Sequence, residues 1–248
     1  MGVLVEVCCG GIDDLLTAQR CGGDRAEFCA GLPLGGLTPS MGCFAYAREQ
    51  VEIPLMVMVR PRGSGFCYSD DEFTVMLRDA RMFTHQGADG IVFGCLTPQG
   101  QVDRERCLRM REAAGDAALV FHRAFDVTPQ PLDALEQLIE VGVDRILTSG
   151  QQPTAPLGAG LLAKLVQAAA GRIEILGGAG VRPENLTRLV AQTGLKQVHL
   201  AAASDSIDPS TDHNQAIRFG MEPGYDNRVR VTDPQKLAAA IRAAKAIV

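Results

Sequence analysis

The sequence predicts an α/β protein of the (β/α)8 TIM-barrel type, folded as a single domain over residues 1–248. Three observations carry this expectation. Short apolar runs alternate with longer amphipathic stretches from end to end, the pattern of a parallel sheet covered by helices. Eight such runs are present, and 248 residues shared among them leave roughly 30 per unit, which favours a closed barrel over an open doubly wound sheet. The composition, 46% apolar and 21% charged, lies near the globular average and can supply a sizeable core.

In chain order the strand runs are Leu4 to Cys8, Arg25 to Cys29, Leu55 to Arg60, Gly90 to Phe93, Ala118 to Arg123, Arg145 to Thr148, Ile173 to Leu176 and Gln197 to Leu200. Between them, apolar residues at three- and four-residue spacing predict helices over Glu72 to Gln86, Pro131 to Val141, Leu161 to Ala170 and Glu184 to Gln192. Gly87, Gly142, Gly171 and Gly194 stand where a left-handed residue ends a helix, and Pro183 stands where a first-turn proline belongs. One stretch breaks the rhythm. Residues 203–231 show neither period and contain Pro209, Gly220, Pro223 and Gly224, so an irregular arm is expected there before Asp233-Pro234 opens the last helix. Such an arm covers the barrel mouth, forms a subunit contact or is a plain surface insertion.

A net charge of −5 with the arginines scattered along the chain speaks against nucleic acid as a partner. No apolar run approaches 18 residues, and Val3 to Val7 already reads as a strand where a leader would stand, so a cytoplasmic protein with no membrane association is expected. Eight cysteines without a CxxC pair then read as reduced thiols. Cys8 and Cys9 are adjacent on a strand and point to opposite faces.

In a barrel of this type the chemistry lies at the carboxyl ends of the strands. Those ends are strongly polar here: Glu6 and Cys8, Glu27 and Cys29, Arg60 and Arg62, His122, Arg123 and Asp126, and His199. Alternation puts Glu6 with Cys8 on one face and Glu27 with Cys29 on one face of the next strand, about 4.8 Å away. Buried acids need cations, and Arg60, Arg62 and Arg123 are the candidates. After the seventh strand a glycine-rich turn with Gly178, Gly180 and Arg182 opens a helix, a pattern that binds anions, and Ser149 follows the sixth strand in a similar place. Glycines also serve tight strand-to-helix turns, so both uses stand at this point.

These residues fit an enzyme acting on a small anionic or phosphorylated metabolite by proton transfer, as an isomerase or lyase, with no organic cofactor. Glu6 or Glu27 would be the general base, His122 or His199 the general acid, and Arg60 with Arg123 would steady an oxyanion, while Asp126 would orient a histidine or pair with Arg123. The plainer reading is that the charges neutralise one another and close the barrel top. No lysine stands at a strand end for a Schiff base, and no HxH or HExxH offers a zinc hydrolase site.

With these residues in view the chain resembles the CutC copper-homeostasis family along nearly its whole length. The resemblance rests on EVCC at Glu6 to Cys9, RAEFCAG at Arg25 to Gly31, GGLTPSMG at Gly35 to Gly42, VRPRGSGFCYSDDEF at Val59 to Phe73, FHRAFD at Phe121 to Asp126 and RILTSGQ at Arg145 to Gln151. It implies a barrel fold, a cytoplasmic homodimer, a role in copper handling and Cu(I) held by Cys8 and Cys29. Cuprous ion prefers soft thiolates, and two cysteines on adjacent strands suit it, although both also fit as small buried hydrophobes. The chain departs from the family pattern at Ala201, where a serine is usual, and at His213-Asn214, where an Arg-Asn pair is usual.

Overall fold

The computed structural model describes residues 2–214, 216–217 and 227–247. All eight expected strands form: β1 (Leu4–Cys9), β2 (Arg25–Phe28), β3 (Leu55–Met58), β4 (Gly90–Phe93), β5 (Ala118–Phe121), β6 (Arg145–Thr148), β7 (Glu174–Gly177) and β8 (Gln197–Leu200). Each pairs in parallel with the next, and β8 returns to β1, so the sheet closes into a barrel. The helices α1 (Ile12–Arg20), α2 (Met41–Gln50), α3 (Asp70–His85), α4 (Arg104–Ala114), α5 (Pro131–Val141), α6 (Ala159–Ala169), α7 (Pro183–Thr193) and α8 (Pro234–Lys245) each follow a strand in the usual alternation. Among the described residues, no helix is long and apolar enough to cross a membrane.

Punctuation explains the boundaries. Ser69 and Glu72 cap α3 reciprocally, satisfying two backbone donors that the first turn leaves open. Pro131 and Pro183 occupy first-turn positions, and Gly142 and Gly194 take left-handed conformations where α5 and α7 stop. β3 and β5 end earlier than expected. Val59 and His122 still donate backbone N–H groups to Val92 and Phe93, and then Pro61 and a 3-10 turn at Arg123–Val127 lead the chain away from the ladder. That departure points Arg60 and His122 toward the mouth.

A parallel strand buried on both faces carries a continuous apolar run, which is why the runs were readable. Alternate residues of β1 (Val5, Val7 and Cys9) join the core shared with Leu15, Ala18 and Leu237 of the covering helices. The interior is divided. Cys29, Met56, Met58, Val92 and Val120 fill it on the side of β2 to β5. Glu6, Arg25, Glu27, Arg145, Gln197 and His199, all buried, fill the other side.

The stretch expected to be irregular instead carries a two-stranded antiparallel ribbon, β9 (Ala203–Ile207) with β10 (Arg228–Thr232). Most of its side chains are exposed on both faces, so no apolar alternation marked it. Residue 215 and residues 218–226 of that stretch lie outside the described residues.

Candidate functional site

Barrel closure sets Glu6 of β1 opposite His199 of β8 and Arg25 of β2 in register. Glu6 is 1% exposed and would be a costly buried anion without partners. Its carboxylate accepts from Arg25 Nε and lies 2.8 Å from His199 Nδ1. Arg25 Nη2 donates to Gln197 Oε1 at 2.7 Å, and Arg145 Nε donates to the same oxygen at 3.0 Å. Burial pushes the Glu6 pKa up, but the His199 hydrogen bond and the Arg25 and Arg145 charges outweigh it and hold the pKa at about 2. The layer is a charged floor.

Above it lie the thiols. Glu27 Oε2 is 3.6 Å from Cys8 Sγ, 3.4 Å from Cys29 Sγ and 3.9 Å from His199 Nε2. Desolvation raises the Glu27 carboxyl to about 8, helped by negative charge on Cys8 and Glu6 and opposed by His199, so this acid carries its proton at neutral pH. The Cys8 thiol moves the other way, well below its usual range, through hydrogen bonds from Cys29 and His199 that outweigh burial. Burial would lower His199, yet Glu27, Cys8 and Glu6 raise it well above the ordinary imidazole range. The Cys29 thiol rises well above its usual range because it donates to Cys8 and is buried. The cluster therefore presents a thiolate, an imidazolium, a neutral acid and a thiol. Cys9 faces away into the outer core, as strand alternation requires.

A cavity of about 480 Å³ opens over this cluster, lined by Cys8, Glu27, Cys29 and His199 on one side and by Arg60, Phe66, His122, Arg123 and Asp126 on the other. Leu32, Met58 and Leu147 supply apolar wall, and Arg230 of β10 reaches the rim. The structure thus brings together eight of the expected residues. Glu6 is not among the lining residues and sits below them.

The cations expected beside the acids are elsewhere. Arg60 donates to the carbonyls of Leu34, Gly36 and Ser64, Arg62 pairs with Glu72, and Arg123 pairs with Asp126 at 2.8 Å. The actual partner of Glu6 is Arg25, which strand alternation already places on the inward face with Glu27. Arg145 and Gln197 were missed for the same reason: each stands at the start of a strand, where a polar residue reads as a flank.

Asp126 does not touch a histidine. Its carboxylate accepts from Thr148 Oγ1 at 2.5 Å, Ser149 N at 3.0 Å, Ser149 Oγ at 2.9 Å and Gln151 N at 3.2 Å, tying the turn after β5 to the loop after β6. Asp126→Ala is expected to cost roughly 2–3 kcal/mol, because it strands several buried donors at once. Chemical denaturation at pH 7 reads the loss, and a change within error would show that water replaces the carboxylate.

Ser149, Gly178, Gly180 and Arg182 do not line the cavity. Gly178 N donates to Thr148 O at 3.0 Å and Arg182 N to Asn185 Oδ1 at 3.0 Å, so those donors are engaged within the fold. A Cβ at Gly178 would lie 2.6 Å from Leu147 Cδ1, and Gly180, at φ +68°, faces Thr154 at 2.9 Å. Close packing and backbone conformation account for these glycines.

Comparison with known proteins bears on the same residues. The CutC family profile matches residues 3–204, which include every residue of the floor and thiol cluster. The chain belongs to the CutC family. A CutC family protein of Treponema denticola is 45% identical over 88% of this chain and 89% of its own length. The human copper homeostasis protein cutC homolog is 38% identical over 99% of this chain and 90% of its own length. Among solved structures, a copper homeostasis protein CutC from Streptococcus agalactiae superposes with a TM-score of 0.75 at 35% identity, covering 79% of this chain and 97% of that one. A phosphoribosylanthranilate isomerase from Thermotoga maritima, at 13% identity and a TM-score of 0.59, shares the fold with the CutC chain.

Proposed function

We propose that this CutC chain handles copper by holding Cu(I) at the barrel top, with Cys8 and Cys29 as thiolate ligands and His199 Nε2 beside them. The observation that supports it is the convergence of Cys8, Glu27 and His199, whose ligand atoms all lie within 4.8 Å of one another, with Cys29 Sγ 3.4 Å from the same Glu27 oxygen. The donor set fits the ion: soft sulfur first, then imidazole. Cys8 is already poised as a thiolate, and metal binding would displace the Cys29 proton and, where His199 Nε2 joins as a ligand, the imidazolium proton on that nitrogen. Eight unpaired cysteines suit a reducing compartment, so we place this activity in the cytoplasm. Following the family resemblance, we also propose a homodimer, to be read by light scattering.

Anaerobic Cu(I) titration against a competing chelator tests the reading. The Cys8→Ala, Cys29→Ala double variant is expected to lose affinity by about tenfold or more, some 1.4 kcal/mol. Unchanged affinity removes the thiols as ligands.

A second reading has its own support. Glu6 is held near 2 while Glu27 is raised to about 8, and carboxyls driven apart by environment are the mark of acid and base assignments. In this reading the cavity takes a small anionic metabolite, Glu27 gives a proton, the Cys8 thiolate accepts one, and Glu6 positions His199 from below. The reaction class is proton transfer of the isomerase or lyase type.

A further inference from the structure

Three arginines line the cavity, and two of them are spent. Arg60 donates to the carbonyls of Leu34, Gly36 and Ser64, bonds the Tyr68 hydroxyl and is 5% exposed, so it is part of the wall. Arg123 pairs with Asp126 at 2.8 Å and donates to Ser149 Oγ at 3.0 Å. The third is Arg230, an exposed residue of β10. Among the described residues no ion pair and no hydrogen bond engages its side chain. Asp205 stands opposite it in register but pairs with Arg228 at 3.5 Å instead.

The ribbon holds this cation in place. β9 and β10 pair from Ala203 with Thr232 to Ile207 with Arg228, and at their base Thr232 N donates to Asp14 Oδ1 at 2.6 Å and Asp233 N to Ala202 O at 2.7 Å. Arg230 therefore leaves a laddered backbone two residues from that anchor, on the face it shares with Asp205. An exposed guanidinium is hydrated, so standing unpaired costs it little. What it gains is an oxyanion at the edge of an apolar wall, where low-dielectric surroundings focus its field into the cavity. Leu32, Met58, Phe66 and Leu147 supply that wall, and the reactive groups Cys8 and Glu27 lie on the same cavity beneath it.

We propose that Arg230 selects the ligand of the cavity: it receives the oxyanion of a small metabolite, a carboxylate or a phosphate, at the rim, while the uncharged carbon skeleton runs inward along the apolar wall toward Cys8 and Glu27. The inference rests on the metabolite reading above, to which it adds the residue that receives the charge and the direction in which the ligand lies. It is independent of copper. No other arginine of the lining is left for the role, since Arg60 holds carbonyls and Arg123 holds Asp126. A cavity of about 480 Å³ takes a skeleton of a few carbons together with its charged end.

The test uses Cys8, which lines the cavity, as its reporter. The copper-free protein is alkylated with N-iodoacetylglycine or with its neutral counterpart N-iodoacetylglycinamide, and peptide mass spectrometry gives the rates at Cys8 and at the exposed Cys43. Both reagents meet the same thiol, so the ratio of their rates reports charge preference alone. That ratio is expected to be higher at Cys8 than at Cys43 by about tenfold or more and to lose most of the excess in Arg230→Gln. Arg230→Lys recovers part of it, and Arg228→Gln, which removes an equal charge from a ribbon position outside the cavity lining, leaves it in place. Butyrate or inorganic phosphate protects Cys8 of the wild type, and the one that protects it names the oxyanion. Equal ratios at the two cysteines, a fall in Arg228→Gln as large as in Arg230→Gln, or protection by neither anion would overturn Arg230 as the selector while sparing the metabolite reading. Cys8 left untouched by both reagents while Cys43 is labelled would overturn both, because the cavity would then admit no small molecule.

Discussion

Glu6→Ala is expected to lower the unfolding free energy by about 3–5 kcal/mol, the cost of removing one partner from a buried ion network. The substitution leaves Arg25 and Arg145, 6% and 7% exposed, facing Gln197 with no carboxylate beneath the thiol layer, and it deprives His199 of its Nδ1 partner. Glu174, half-exposed, still pairs with Arg145 from the barrel's lower rim, but it does not reach Arg25 in any ion pair among the described residues. Glu136→Ala is the contrast. It removes an ion pair with Arg172 whose side chains are 49% and 46% exposed, and solvent screening makes that loss much the smaller of the two. Urea unfolding of the two variants at pH 7 separates the cases. Equal losses would mean that the floor does not hold the barrel. The same variant reports on function: His199 loses one of the three partners, after Glu27 and Cys8, that keep it protonated, so iodoacetamide alkylation of Cys8 at pH 6 slows as its thiolate fraction falls.

The fold was legible because parallel strands buried on both faces cannot hide their composition, and because Pro131, Pro183, Gly142 and Gly194 mark helix ends by backbone chemistry alone. The candidate site was legible in its residue types but less so in its pairings. His199 and Glu6 are 193 residues apart, and only closure of β8 onto β1 makes them neighbours. Arg25 was overlooked because a cation at the start of a strand usually reaches solvent. Here the inward face of the strand sends it into the barrel instead. The turn at Gly178 and Gly180 shows a different limit. A phosphate cradle and a close-packed crossing demand the same residue, and only the positions of Leu147 and Thr154 distinguish them. The ribbon of β9 and β10 escaped notice because a strand wet on both faces has no apolar period to read.

The second large effect is one of pH, carried by His122. Burial and the Arg60 charge hold its pKa at about 3 against an ordinary 6.5. Between those values the unfolded chain binds a proton that the native ring refuses. The stability conferred by the neutral ring is complete above pH 6.5 and is lost as pH falls toward 3, at about 1.4 kcal/mol per unit. Glu27 has the opposite sign, since its carboxyl rises from 4.5 to about 8 and the native state takes up its proton first as pH falls. Cys8, shifted downward, opposes Glu27 in turn. These contributions overlap in the wild type, but a comparison with His122→Phe cancels them, because Glu27 and Cys8 titrate in both proteins. Whatever the variant costs at pH 6.5, where the unfolded ring is already half protonated, it is expected to gain about 2 kcal/mol on the wild type by pH 4.5. Below pH 4.5 the wild type weakens further as Glu6, held at about 2 against an ordinary 4.5, also begins to demand a proton that the fold resists. Urea unfolding of both proteins at pH 6.5 and 4.5 decides the matter. A stability difference that stays the same at the two values would show that His122 titrates normally despite its burial beside Arg60.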